Sequence, residues 1–139
     1  MPTRTTGYIT AADWQERKAG PAETSPRLAL ASVVNTFTGG IEAADTTCEY
    51  VIAYATEKTG TFAGMELLTG TLDGRAGAFV LDERGTFEPD GSVRCTFEVV
   101  PGSGTGALTG LTGTGSFVYR PGEPSFPYTF DYELGPELS

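Results

Sequence analysis

The stretch Val99–Phe117 reads VVPGSGTGALTGLTGTGSF and holds six glycines between positions 102 and 115. So much bare backbone has two readings: a loop that cradles phosphate, or a tight corner between strands of a closed sheet. A dinucleotide fingerprint needs G-x-G-x-x-G between a strand and a helix, with an acid about 20 residues further on. Gly102, Gly104, Gly106 and Gly110 miss that spacing, and no lysine comes after them to make a P-loop. The next residues, TGTGSFVY (112–119), have the pattern of another strand. The corner reading fits better. Pro101 ends a strand, and Gly102, Gly104 and Gly106 allow positive φ or close backbone contact. Ala107 and Leu108 suit a single helical turn with Gly110 as its C-cap. Leu108 and Leu111 are then placed to plug one end of a barrel, and Gly113 and Gly115 let the next strand bend as closure requires.

Outward from this corner the chain alternates with period two, and no segment sustains a helical period. GAFVLDERGTF (77–87) puts Phe79, Leu81, Glu83 and Phe87 on one face. SVRCTFEVV (92–100) does the same with Val93, Cys95, Phe97 and Val99, and FPYTFDYEL (126–134) with Phe126, Tyr128, Phe130, Tyr132 and Leu134. These are half-buried antiparallel strands. Further strands are expected over 5–14, 28–38, 46–55, 61–72 and 112–120. The breaks carry turn chemistry: GG at 39–40, KTG at 58–60, DG at 73–74, PDG at 89–91 and PGEP at 121–124. QERKAGPAETSPR (15–27) is charged, carries two prolines and reads as an exposed loop, with the shape of a lid. Eight meandering strands leave two unpaired edges unless the sheet closes. The expected fold is therefore all-β: one eight-stranded antiparallel closed barrel over residues 1–139, whose interior either packs solid or holds one small ligand.

The totals exclude several functions. The 139 residues suffice for one core, and 39% hydrophobic with 11% aromatic content is too apolar for disorder. A net charge of −9 repels phosphate backbones, so nucleic acid is not an expected partner. No apolar run is long enough for a membrane span, and MPTRTTGYITAADW has no signal-peptide core. Cys48 and Cys95 then read as reduced thiols of a cytoplasmic protein. Histidine is absent, which removes Ser-His-Asp and Cys-His systems and the commonest metal ligand. The lysines, Lys18 and Lys58, lie in polar surroundings, against Schiff-base chemistry. Glu42, Asp45 and Glu49 lack metal-ligand spacing and read as solvated surface, so no metal and no cofactor is expected.

Carboxylates and tyrosines remain. Glu83 shares its face with Phe79, Leu81 and Phe87; Glu66, in FAGMELLTG (62–70), shares one with Phe62, Gly64 and Leu68. Small Gly64 and Gly70 leave room beside it. Inward carboxylates in apolar surroundings have raised pKa values, and two together push theirs apart into an acid and a base. The alternative is a carboxylate satisfied by Arg75 or a tyrosine hydroxyl, and a one-residue slip at a bulge puts either glutamate outside. Tyr8, Trp14, Tyr50, Tyr54, Tyr119, Tyr128 and Tyr132 form an aromatic set, most of it inward by parity. Such walls suit an apolar ligand with a few oxygens, and equally suit plain core packing. Cys95 reads as a small buried hydrophobe.

PGSGTGALTGLTGTGSF (101–117), with VVNTFTGGIE (33–42), EYVIAY (49–54), FAGMELLTGTLDGRAGAFVL (62–81), RGTFEPDG (84–91) and YTFDYEL (128–134), resembles the DUF3224 family of uncharacterised bacterial proteins over nearly the whole chain. The resemblance implies an allene-oxide-cyclase-like, calycin-like barrel and no settled activity. Neighbouring barrel groups bind hydrophobic small molecules; some guide cyclisation of a flexible apolar substrate, and many self-associate. The family pattern carries a histidine near Glu83, in a motif like LxHxGTF, where this chain has LDERGTF (81–87), so an imidazole role is in doubt. The implied function is a small-molecule-binding barrel that could act as a cofactor-free cyclase or isomerase on a polyketide- or oxylipin-like substrate. Glu66, Glu83 and Tyr54 are the catalytic candidates. Trp14, Tyr50, Phe62, Phe79, Phe97, Phe117, Tyr119, Tyr128 and Tyr132 are the substrate-binding candidates. The alternatives are a non-catalytic lipophile carrier and a solid barrel that works through its surface; a homo-oligomer fits each.

Overall fold

The structure, a computed structural model, describes residues 2–21 and 23–135. Eight strands run in chain order: β1 Thr3–Ala19, β2 Arg27–Gly39, β3 Ile41–Tyr54, β4 Gly60–Leu72, β5 Arg75–Phe87, β6 Val93–Val99, β7 Thr112–Tyr119 and β8 Phe126–Glu133. Each pairs antiparallel with the next, and β8 returns to β1, so the sheet is a closed barrel without free edges. Among the described residues no helix is long and apolar enough to cross a membrane.

The alternation expected for β5, β6 and β8 is met residue for residue, with Leu81, Glu83, Cys95, Phe97, Tyr128, Phe130 and Tyr132 all inward and buried. Two strands change parity partway. In β3, Ala43 and Thr46 are both inward because the ladder shifts at Asp45, which adopts φ +54°. In β1 the ladder to β2 shifts between Ala12 and Gln15, beside Asp13 at φ +56°. Each bulge turns the remainder of its strand over. The loop expected at 15–27 is shorter than the sequence suggests. Gln15–Ala19 continue β1 and pair with Leu28–Ser32, and β2 starts at Arg27. Charged residues hid this segment because its side chains meet solvent on both faces.

The glycine-rich stretch is the corner expected. A short 3-10 turn, Gly106–Leu108, brings Leu108 and Leu111 into the barrel end, where both are buried. Gly106 adopts φ +60°, and at Gly104 a Cβ would sit 2.1 Å from the Leu108 carbonyl oxygen. The plug closes a core that includes Ile9, Phe37, Leu68, Leu72, Phe79, Leu81, Phe97, Tyr128, Phe130 and Tyr132. A second cluster, Ala29, Ala31, Val33, Cys48, Tyr50 and Ile52, lines the other half of the lumen. The interior is thus packed solid at one end and only walled at the other.

Candidate functional site

The walled half holds a cavity of about 890 Å³, in the volume range of ligand sites. It opens at the end of the barrel that carries the β3–β4, β5–β6 and β7–β8 connections, where Glu57, Lys58, Glu88, Asp90 and Glu123 rim the mouth. Its walls include Val33, Ile52, Phe62, Phe87, Phe117, Tyr119 and Phe126. Trp14 stands at the side, half exposed, 6.3 Å from the Tyr50 ring. The aromatic pairs Tyr50–Phe62 and Phe117–Phe126 pack at 5.0 and 5.1 Å and stiffen the wall.

Asn35 and Tyr50 are the polar residues of the inner wall, and both reach past it to buried acids. Asn35 sits on the inward parity of β2 between Val33 and Phe37. Its Nδ2 donates to Glu66 Oε2 at 2.9 Å, and the Thr46 hydroxyl donates to the same oxygen. Tyr50, Gly64 and Glu83 form one row across β3, β4 and β5. Because Gly64 has no side chain, the Tyr50 hydroxyl passes over it and donates to Glu83 Oε1 at 2.6 Å. Cys48 faces Glu66 directly across the β3–β4 ladder, and Cys95 Sγ lies 4.0 Å from Glu83 Oε1. Glu66 and Glu83 are each 1% exposed.

Burial pushes the Glu83 carboxyl well above the usual range, and contact with the Glu66 carboxylate pushes it further; the Tyr50 hydrogen bond only partly offsets this. Glu83 therefore keeps its proton beyond the pH at which an ordinary glutamate ionises. Among the described residues no donor reaches Glu83 Oε2. Burial likewise pushes both cysteine thiols up, with the Glu83 charge adding to it, so neither is an activated nucleophile. Tyr50 is raised by burial and by Glu83.

The candidates from sequence divide by position along the axis. Glu66 and Glu83 meet, as two inward carboxylates do, but they lie behind Asn35 and Tyr50 and do not line the cavity. Tyr54 does line it, near the mouth and away from both: its hydroxyl donates to Glu16 at 2.5 Å and Arg27 stacks on its ring at 4.0 Å. Trp14, Tyr50, Phe62, Phe117 and Tyr119 line the cavity. Phe79, Phe97, Tyr128 and Tyr132 do not; they belong to the plugged core. There the Tyr128 hydroxyl accepts from the Ile41 amide and donates to the Thr38 carbonyl, and the Tyr132 hydroxyl donates to Asp73. Tyr8 points outward. Of the two partners expected for a buried carboxylate, Arg75 is exposed and far along β5, and a tyrosine hydroxyl, that of Tyr50, holds Glu83; asparagine and threonine hold Glu66. Glu42, Asp45 and Glu49 are solvated, as expected. Asn35, Thr46 and Cys48 were not singled out as site residues by the sequence. Asn35 alone left a signal, a polar side chain on a buried parity.

A closed eight-stranded antiparallel barrel, plugged at one end and hollow at the other, defines the class of this protein. The model of the family described as "Protein of unknown function (DUF3224)" matches residues 5–132, and the chain belongs to that family. It is also similar to the crystal structure of a DUF3224 protein of unknown function from Shewanella oneidensis MR-1. The two are 30% identical, with a TM-score of 0.81 over 98% of this chain and 100% of the other. No curated protein matches the sequence.

Proposed function

We propose that this barrel binds a hydrophobic small molecule in its open half. The observation that carries the reading is the cavity itself: about 890 Å³, aromatic and aliphatic on its walls, with the two polar contacts of Asn35 and Tyr50 deep inside. Apolar walls supply affinity, and a few placed polar groups supply orientation. The ligand class is a flexible apolar molecule with one or two oxygens. The carboxylates are held by protein donors and screened from the cavity, which favours holding a ligand over transforming it. Native mass spectrometry of the purified protein tests this. Expected is a copurified, unmodified lipophile, released on denaturation. A protein that carries none, and takes up none from a panel of neutral lipophiles, contradicts it.

A second reading is catalytic, in line with the allene-oxide-cyclase-like groups: a cofactor-free cyclisation or isomerisation of a polyketide- or oxylipin-like chain. One contact favours it. The Tyr50 hydroxyl faces the cavity wall and is oriented by Glu83 at 2.6 Å. When Glu83 turns the proton it keeps to the phenol oxygen, the Tyr50 hydroxyl is free to donate its own to a substrate oxygen and steady the charge developing there, while the walls fold the chain for ring closure. Glu66 and Glu83 would then act through Tyr50 and Asn35, and Tyr54 would contact ligand at the mouth. With a turned-over substrate in hand, Tyr50→Phe should lower kcat by about 100-fold or more while leaving binding nearly unchanged. An unchanged kcat removes this reading.

A further inference from the structure

Beneath the cavity floor three groups able to ligate a metal converge. Cys48 Sγ, one oxygen of Glu66 and one of Glu83 all lie within 4.8 Å of one another, and all three residues are buried. Around a tetrahedral ion with metal–sulfur and metal–oxygen bonds of about 2.0–2.3 Å, ligand atoms sit roughly 3.3–3.8 Å apart. Binding draws the three atoms in by about 1 Å at most, within reach of side-chain rotation. Three groups that can each give up a proton share one buried place, and among the described residues no lysine or arginine is ion-paired with either carboxylate. The donors are neutral, and each occupies one oxygen only. Asn35 and Thr46 both engage Oε2 of Glu66, and Tyr50 engages Oε1 of Glu83. Oε2 of Glu83, on a side chain 1% exposed, receives no hydrogen bond from any described residue. Tyr50 donates to Oε1, so the proton that Glu83 keeps sits on Oε2, on the side of Glu66; an ion bound between the two carboxyls takes that proton's place. Outer hydrogen bonds that fix one oxygen and leave another for an ion are the usual support of a metal site.

We propose that Cys48, Glu66 and Glu83 bind a zinc-class divalent cation. The sulfur ligand selects against magnesium and calcium, which take oxygen alone. As the ion binds, the Cys48 thiol proton and the proton that Glu83 keeps both leave to solvent, so that a thiolate and two carboxylates face the cation. Three protein ligands leave a fourth position open. Asn35 and Tyr50, which touch the two carboxylates, also face the cavity, so the ion lies next to whatever the cavity holds. The sequence, without histidine or ligand spacing, pointed to no metal. The ion site and the cavity ligand are independent assignments, and either can fail while the other stands.

The test uses the full chain, stripped with a chelator and titrated with zinc chloride, with cobalt(II) as the spectroscopic probe. Expected are one equivalent of zinc, a higher melting temperature with zinc but not with magnesium, and a thiolate-to-cobalt charge-transfer band. Cys48→Ser should abolish the band, and Cys48→Ser and Glu66→Gln should each weaken zinc at least about tenfold, no less than the loss of an outer hydrogen bond costs a metal site. Cys95→Ser should keep the band. No saturable zinc binding overturns the site, as does cobalt binding without a thiolate band in the unaltered chain. A band that survives Cys48→Ser and falls with Cys95→Ser overturns it too. The first two readouts need no variant, so a misfolded mutant leaves the proposal decidable.

Discussion

Gly64 is the residue on which the buried polar cluster depends. A Cβ there would come within 2.0 Å of the Glu49 carbonyl oxygen and 2.7 Å of Tyr50 Cδ1, and backbone cannot yield at that distance. Gly64→Ala should therefore push Tyr50 off Glu83 and destabilise the fold by about 1–3 kcal/mol, the usual cost of overpacking, measured by urea unfolding. Tyr50→Phe removes the donor without the crowding. It leaves Glu83 Oε1 with only the long contact from the Cys95 thiol, and should cost about 1–3 kcal/mol. If Tyr50→Phe is as stable as the parent, the hydrogen bond holds nothing. At this scale the sequence showed the inward direction of Glu66 and Glu83, because Leu81, Phe87 and Leu68 share their faces. It did not show Cys48 beside Glu66, since that meeting depends on the β3–β4 register.

Elements are where the sequence read best and where its errors arose. β5, β6 and β8 each bury a clean alternating face, and local pattern decides such strands. β3 hides a bulge. Asp45 at φ +54° carries the extra residue, and its amide bonds to the Thr36 hydroxyl at 3.3 Å. Nothing in the local pattern announces a left-handed aspartate, although without it Thr46, Cys48 and Tyr50 would face solvent. Asp45→Val should lower stability by about 1–2 kcal/mol, the cost of that conformation for an ordinary L-residue, and Asp45→Gly should not lower it. Equal melts for the two variants would mean that the bulge relaxes. The plug is the other decisive element. Leu108 is fully buried against Gly77, and Leu108→Ala should cost about 2–5 kcal/mol while leaving the cavity at the far end intact. Loss of ligand binding from that change would show the two halves to be coupled.

Across the whole molecule, position along the barrel axis decides what a side chain does, and period-two reasoning has no access to it. Phe79 and Phe62 both point inward, yet Phe79 packs in the plugged core and Phe62 lines the cavity. The tyrosines link both ends to pH. Tyr54 and Tyr132 are each pushed up to about 12, chiefly by burial and then by hydrogen bonds to Glu16 and Asp73; Tyr128 is raised too. An unfolded tyrosine ionises near 10. The folded chain thus holds these protons more tightly, so their contribution is complete below about pH 10 and is lost as pH rises through about 12. Urea midpoints should fall over that window; a flat profile contradicts it.

The central claim is that the open half of the barrel is a ligand site. The most direct measurement is a titration of the protein with the neutral lipophilic dye Nile red, tracked by dye fluorescence and by quenching of Trp14, the chain's one tryptophan. It is compared with Ala11→Trp, which fills the cavity from the β1 wall; that variant is tracked by dye fluorescence alone. Saturable 1:1 binding that quenches Trp14 and is lost in Ala11→Trp is the predicted result. Absence of saturable binding, or binding that Ala11→Trp leaves unchanged, would contradict the claim.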